Sequence, residues 1–376
     1  MKHLRSAIAL LMCLAVLLPL LPGESLAEES ELSEFSVNEK EDLSLMPQAV
    51  TEYLVYHGSS TITFRFSKKL VDEYTVDKLV DMARKAGAMG SVDGIEIGYS
   101  TRSDGTLRVK LANLKIRSGE KLLEAWLFDD RSSLTSEERR CLDKVIRVVN
   151  DLKRKYPETS LELETAIYDY ICDHVSYKNY PVESGKREAC TSACNAILYG
   201  WGNCQAYSDL FRLMATIGGF STGLMSGKAN NEAHMWNWIG TWFDGEYRVY
   251  MVDVTFGDKD GQWKTDHFYL NFGLDRVDDH TWYKELFMGD EFERYTNDNC
   301  TYYNGKTGFT AGTMADAARL CADLVKRGQR KFDLLVFQRG IWENEIESAL
   351  NKSLPKRDWH FSCFSHDVGV TISFWR

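Results

Sequence analysis

Three residues of this 376-residue chain stand where nucleophilic chemistry would need them. The first is Cys204, in the stretch GWGNCQAYSDLFRLMATIGG. Behind it Tyr207, Leu210, Phe211, Met214 and Ile217 recur at spacings of three and four, one apolar stripe of a helix that Gly218 and Gly219 stop. Cys204 therefore falls in the first helical turn, where unpaired N–H groups and the positive end of the helix dipole favour negative charge. A thiolate is such a charge, so the setting lowers the thiol pKa below its ordinary value of about 8.5. The N–H groups there, chiefly that of Cys204 itself, point where an oxyanion would form. Gly200 and Gly202 are expected to let the backbone turn sharply and to leave room for a substrate. The plain alternative for a lone cysteine is a small buried residue capping a core helix.

The other two residues lie in NEAHMWNWIGTWFDGEYRVYMVDVTFGD, residues 231 to 258. Asp244-Gly245 between aromatic and β-branched residues is a strong short-range signal for a hairpin. A two-residue loop there sets Trp236 opposite Asp253 and His234 opposite Thr255. Side chains alternate faces along a strand, so all four share one face. His234 and Asp253 become diagonal neighbours, near enough for a carboxylate to hold an imidazole through its ring N–H, fixing the tautomer and steadying the imidazolium. A register slip of one residue would carry Asp253 to the far face. Trp201, Gly202, Gln205 and Trp236 are the further candidates for the cleft, with the Trp201 indole a candidate second oxyanion donor and a buried core tryptophan its alternative.

Other groupings have blander readings. Cys190 and Cys194, with Cys172 and His174 upstream, are spaced poorly for a structural zinc site, so no metal is assigned. A disulfide among Cys141, Cys172, Cys190 and Cys194, or plain buried thiols, fits better. Cys300, Cys321 and Cys363 complete a set whose pairing the spacing leaves open, and with Cys204 kept free an odd number remains once Cys13 is removed. Asp258, Asp260 and Gly261 hold only part of a calcium loop and read as a turn. DRVDDH and GDEFE read as solvated faces, and His267 and His280 as structural histidines.

The elements that would position the site follow from composition and pattern. MKHLR, an apolar run from Ala7 to Leu21 and GESLA ahead of acidic residues have the order of a secretory signal peptide, with cleavage expected after Ala27. An uncleaved anchor is the lesser reading, and Cys13 lacks the small preceding residue that lipidation wants. The expected location is secreted, periplasmic or at the cell surface. A net charge of −10 without a basic block argues against nucleic acid. A mature chain of about 350 residues exceeds one comfortable core. Residues 28–50, acidic and polar, are expected to be a flexible linker. Residues 51–118 read as a small α+β domain, with strands near 61–66, 95–99 and 107–111 around a helix through Tyr74, Leu79, Val80 and Ala83. Residues 119–306 form the central domain, opened by a capping box from Thr135 to Glu138 and helices through Leu142 to Val149 and Leu161 to Val175. Residues 307–376 read strand, helix, strand, helix, strand; their order resembles that of the first unit too weakly to name a repeat.

GNCQAYSDLF, AHMWNWI and YMVDVTFGD, in that order, resemble the three signature blocks of the bacterial transglutaminase-like superfamily, cysteine enzymes with a papain-like fold. The resemblance covers roughly residues 135–290 and departs at Ala206, where the family often has Gly. It implies an α+β fold: a helix carrying the nucleophile Cys204, packed on an antiparallel sheet carrying the base His234 and the third member Asp253, here flanked by two small domains. It further implies acyl transfer through a thioester on a protein or peptide amide, without a cofactor, ending in crosslinking, deamidation or hydrolysis. A peptidase of extracellular or cell-wall peptides and a non-catalytic binding module are the alternatives; oligomeric state stays open.

Overall fold

The computed structural model describes residues 34–375 apart from 56, 92–94, 182–183, 244–245, 260–264, 274–278, 288–300, 304–307, 341–342, 355–359 and 367–368. The signal segment, residues 28–33, GDEFE and Cys300 lie outside the described residues. The first unit is a four-stranded sheet of β1 (Glu34–Val37), β2 (Ile62–Phe66), β3 (Glu96–Thr101) and β4 (Leu107–Ala112) in the order β1-β2-β4-β3. Only β1 and β2 are parallel. In β2 the alternation holds: Ile62, Phe64 and Phe66 are buried and Thr63 and Arg65 are not. The expected helix divides into Lys68–Glu73 and Val76–Gly90, because Ser67 and Thr75 each cap a helix start. The expected linker 28–50 is corrected from residue 34 onward. Val37, Leu43 and Met46 are fully buried in β1, a 3₁₀ turn at Lys40–Leu45 and the helix Met46–Val55. The acidic residues between them dominated the composition while these, with Ala49 and Val50, did the packing.

The central unit places helices Ser118–Leu127, Ser136–Lys153 and Leu161–His174 ahead of the Cys204 segment. The capping box between Thr135 and Glu138 is present. A small parallel pair, β5 (Ser176–Tyr177) and β6 (Trp201–Gly202), precedes the helix Cys204–Ile217. That helix packs on the antiparallel sheet of β7 (Ser221–Ala229), β8 (Glu232–Phe243), β9 (Glu246–Val252) and β10 (His280–Trp282), ordered β10-β7-β8-β9. The β8–β9 register runs from Phe243 opposite Glu246 to Asn237 opposite Val252, as a two-residue connection requires; the connection itself, Asp244-Gly245, lies outside the described residues. Pairing then stops. Asp253 caps a short helix, Val254–Gly257, so the expected placement of Thr255 opposite His234 is corrected: Thr255 is helical.

The last unit holds β11 (Gly308–Ala311), β12 (Lys331–Val336), β13 (His360–His366) and β14 (Gly369–Trp375), ordered β11-β12-β14-β13, with helices Met314–Lys326 and Glu343–Ser353. One strand more than expected is present, β13. With it, the sheet repeats the first one: a parallel first pair, then two antiparallel neighbours closed by a hairpin. The weak resemblance in order is a shared topology. The two ends differ in packing. The last unit has a core of its own, from Ala311 to Phe374, whereas the first shares one continuous core with the central unit and is not a separate body. Among the described residues no helix is long and apolar enough to cross a membrane.

The seam between first and central units is fixed by an ion pair. Arg117, 1 % exposed, meets Asp209 of the helix Cys204–Ile217 at 2.9 Å and also reaches the carbonyls of Ala88, Ser91 and Gln205. Losing one member strands the other charge in the interior. Asp209→Ala is therefore expected to lower unfolding stability by about 3–5 kcal/mol, read as a shift in the urea midpoint; an unchanged midpoint contradicts the seam's importance.

Candidate functional site

The helix Cys204–Ile217 begins in a tightly built turn. Gly200 ends the helix Ala193–Tyr199 in the left-handed conformation, φ 76°. The Asn203 N–H donates to the Cys190 carbonyl at 2.7 Å, and the Asn203 side chain accepts the N–H groups of Gln205 and Ala206 at 3.1 and 3.4 Å. Of the first three helical N–H groups, the cap leaves that of Cys204. Gly202 has a different reason from the expected one: a Cβ there would lie 2.5 Å from Ala206 Cβ and 3.3 Å from the Cys190 carbonyl oxygen. Its empty side is filled by protein, so the room assigned to substrate belongs to Ala206.

Cys204 itself is half-buried and free. Burial pushes its thiol up, but the hydrogen bond and charge of His234 and a backbone hydrogen bond at Met235 outweigh that and bring it below the ordinary range. His234 is pulled down by burial and up more strongly by the Asp253 carboxylate, reaching about 10. Below that pH an imidazolium stands beside a thiol inclined to ionise. His234 Nε2 lies 2.7 Å from Asp253 Oδ2, which leaves Nδ1 as the nitrogen for the thiol. The structure thus brings Cys204, His234 and Asp253 together.

Asp253 is hydrogen-bonded through its N–H, its carbonyl and both carboxylate oxygens. Its N–H donates to Tyr269 O at 2.9 Å, its carbonyl accepts from the Tyr168 hydroxyl at 3.1 Å, and Oδ1 accepts from the Phe256 N–H at 3.0 Å. Oδ2 receives His234 and also His280 Nε2, at 3.0 Å. The charged histidines hold the carboxyl well below the usual carboxylate range despite complete burial. The other His280 nitrogen meets Asp279 Oδ1 at 2.7 Å, and Tyr269 Oη donates to Asp279 Oδ2 at 2.8 Å. His280 was expected to be structural and the end of DRVDDH a solvated face. The face is corrected at its described end, where the His280 side chain is 0 % exposed, residues 275–278 lying outside the described residues; the structural reading of His280 is kept, and what it holds is Asp253. The only signal was HTW in β10, too short for a pattern. Among the described residues, His234, Asp253 and His280 form the one grouping with potential metal-ligand spacing, their donor atoms lying within 4.8 Å. Both contacts to Oδ2 are at hydrogen-bond distance, so we read the group as a proton-linked chain.

The remaining candidates divide. Trp236 is fully buried, stacked 5.9 Å behind His234 and edge-on to His280, so it is a wall of the core and not cleft surface. Gln205 is buried, its N–H spent on the cap and its carbonyl near Arg117. Trp201 is half-buried, edge-on to Tyr180 with Lys178 over its ring, and its carbonyl accepts from Asn195. Two residues outside the expected set align helix and sheet: Ser208 Oγ donates to Met235 O at 3.0 Å, and Asn237 Nδ2 to Ser208 O at 3.0 Å. Cys141, Cys172, Cys190 and Cys194 form no disulfide, so of the two readings the structure takes the plain thiols. His174 turns to the Tyr170 carbonyl, Cys172 to Val254, and no zinc set forms among the described residues. Asp258 accepts from the Tyr207 hydroxyl; Asp260 and Gly261 lie outside the described residues. His267 bridges Asp169 and Asp333, joining the last unit to the core.

Residues 147–282 match the Transglutaminase-like superfamily. The central unit is a transglutaminase-like core. The matched span holds Cys204, His234, Asp253 and His280, and the architecture around it is the α+β, papain-like one. Among solved structures the chain is similar to one described as a TGase, with 12% identity and a TM-score of 0.28 over 63% of this chain and 62% of that one. It is also similar to Legionella pneumophila LapG, with 17% identity and a TM-score of 0.23 over 36% of this chain and 72% of that one. The chain thus spans less than two thirds of the length of the TGase. No curated protein matches the sequence.

The packing of the transglutaminase-like core gives a test at the nucleophile turn. Gly202→Ala is expected to cost about 1–3 kcal/mol through overpacking against Ala206. The double variant Gly202→Ala, Ala206→Gly should melt higher than the single Gly202→Ala; a double variant melting lower would show that the two positions do not share one space.

Proposed function

We propose that the protein is an exported cysteine enzyme that acts on protein or peptide amide groups through Cys204, His234 and Asp253 and a thioester intermediate. The observation that carries the reading is the 2.7 Å contact of Asp253 Oδ2 with His234 Nε2, which leaves the other ring nitrogen to the thiol at the start of a helix. The transglutaminase-like core supports the same class of chemistry.

In the first half-reaction the Cys204 sulfur forms a bond to the amide carbonyl carbon, and the carbonyl oxygen takes the electron pair beside the Cys204 N–H. The C–N bond then breaks, and ammonia or an amine leaves with the proton that His234 gives up. Asp253 holds the ring in place throughout and keeps its charged form favourable. In the second half-reaction an amine or water attacks the thioester, His234 accepts its proton, and the C–S bond breaks to return the thiolate. An amine gives a crosslink; water gives deamidation or peptide cleavage. Export is proposed from the basic and then apolar opening of the chain.

Iodoacetamide labelling over a pH range tests the nucleophile without a known substrate. Selective alkylation of Cys204 at pH 6–7 is expected, with the Cys204→Ala variant inert toward a glutamine peptide and a fluorescent amine. Amine incorporation identifies a transferase, ammonia release alone a deamidase, and new termini a peptidase. Cys204 behaving as an ordinary thiol, with none of these products, overturns the proposal in favour of a binding module. Export has its own check, the N-terminal sequence of secreted protein, expected to begin at Glu28; retention of Met1 on protein recovered outside the cell contradicts cleavage.

A further inference from the structure

His280 is enclosed by acceptors. Its Nδ1 lies 2.7 Å from Asp279 Oδ1 and its Nε2 lies 3.0 Å from Asp253 Oδ2, with the side chain 0 % exposed. An ionised carboxylate can only accept, whereas a neutral imidazole has one donor nitrogen and one acceptor nitrogen. A neutral ring would therefore set a lone pair against a carboxylate at one end. Two protons on the ring satisfy both contacts.

We propose that His280 is a buried imidazolium clamped between Asp253 and Asp279, and that it is a positioning residue that sets how strongly Asp253 holds the proton of His234. The inference rests on the reading of Cys204 as nucleophile for its consequence, but not for its charge assignment. Groups facing His280 come from every neighbouring element. Asp253 follows β9, His234 on β8 has its ring centroid 5.7 Å away, and the Tyr269 ring, 5.9 Å away, donates its hydroxyl to Asp279. Trp236, Phe256 and Phe272 close the remainder with apolar surface. Burial pulls the His280 pKa down and the two carboxylates more than restore it, while Asp253 and Asp279 are both held below the usual carboxylate range.

The consequence is a divided carboxylate. If Asp253 faced His234 alone, its whole charge would hold the ring proton, and His234 would be a poorer acid toward a leaving amine. A second cation on the same Oδ2 shares that charge. It also places a positive charge near the thiolate, favouring its ionised form. Replacing His280 by a neutral residue should then move both transitions of the Cys204–His234 pair toward higher pH.

Two measurements on the full chain test this. In ¹⁵N-histidine spectra, the ring that responds to Asp279→Asn is expected to show both nitrogens protonated at pH 7. A neutral tautomer at pH 7 overturns the assignment. In the second, the pH profile of Cys204 alkylation by iodoacetamide is compared between the native chain and His280→Gln, with the midpoint expected to rise by roughly one unit or more. A lower amplitude at an unchanged midpoint means that His280 is merely structural and overturns the positioning role. Should His280→Gln fail to fold, the spectra of the native chain still decide its charge. Native Cys204 without low-pH reactivity defeats the nucleophile reading, while the spectra judge His280 independently.

Discussion

A single buried carboxylate organises the centre of this protein. Asp253 is withdrawn from water entirely, and an isolated ionised carboxylate in that position would be very costly. Its stability as an anion depends on donors supplied by segments that otherwise have little to do with one another: His234 from β8, Phe256 from the short helix that Asp253 itself caps, and His280 from β10, while the Tyr168 hydroxyl ties its backbone carbonyl to a helix. Each donor restrains a segment, so satisfying one charge also gathers the transglutaminase-like site. The aromatic rings around it exclude water and strengthen every one of those contacts.

The thiol comes from the other layer, and its placement depends on how the helix Cys204–Ile217 lies on the sheet. Across that contact Ser208 donates to the Met235 carbonyl, one residue beyond His234, and Asn237, three residues beyond it, donates to the Ser208 carbonyl. On the far side of the helix, Asp209 is held by Arg117, which also takes two carbonyls of the first unit. The helix is therefore gripped on both faces, and a shift along its axis would break a buried ion pair and a polar contact together. This explains why the first unit shares a core with the centre: its helix Val76–Gly90 ends where Arg117 collects carbonyls.

The last unit is attached differently. It repeats the strand order of the first but keeps its own apolar core, and it meets the centre through buried polar groups: His267 with Asp333, His366 and Thr371 with Asp266. Asp266 caps the turn that carries Tyr269, whose hydroxyl ends the chain of contacts through Asp279 and His280 to Asp253. A polar docking of this kind is directional, so it orients the added sheet more closely than apolar contact would.

What could be read from the sequence were the features governed by neighbours within about twenty residues. Helix periodicity placed Cys204 in the first turn after Asn203, and hairpin parity set His234 and Asp253 on one side, because the turn length and the two-residue repeat of a strand leave little freedom. Composition misled for residues 34–50, where a few buried apolar residues outweighed a majority of acidic and polar ones. Features that needed distant partners were not readable. His280 lies 27 residues from Asp253, and Arg117 lies 92 from Asp209. Trp236 stands on the expected face, yet only packing of β10 and the nucleophile helix decides that this face is interior there. Local pattern determines which side of an element a residue occupies; the charge, burial and partners it finds on that side are set by what the rest of the chain brings against it.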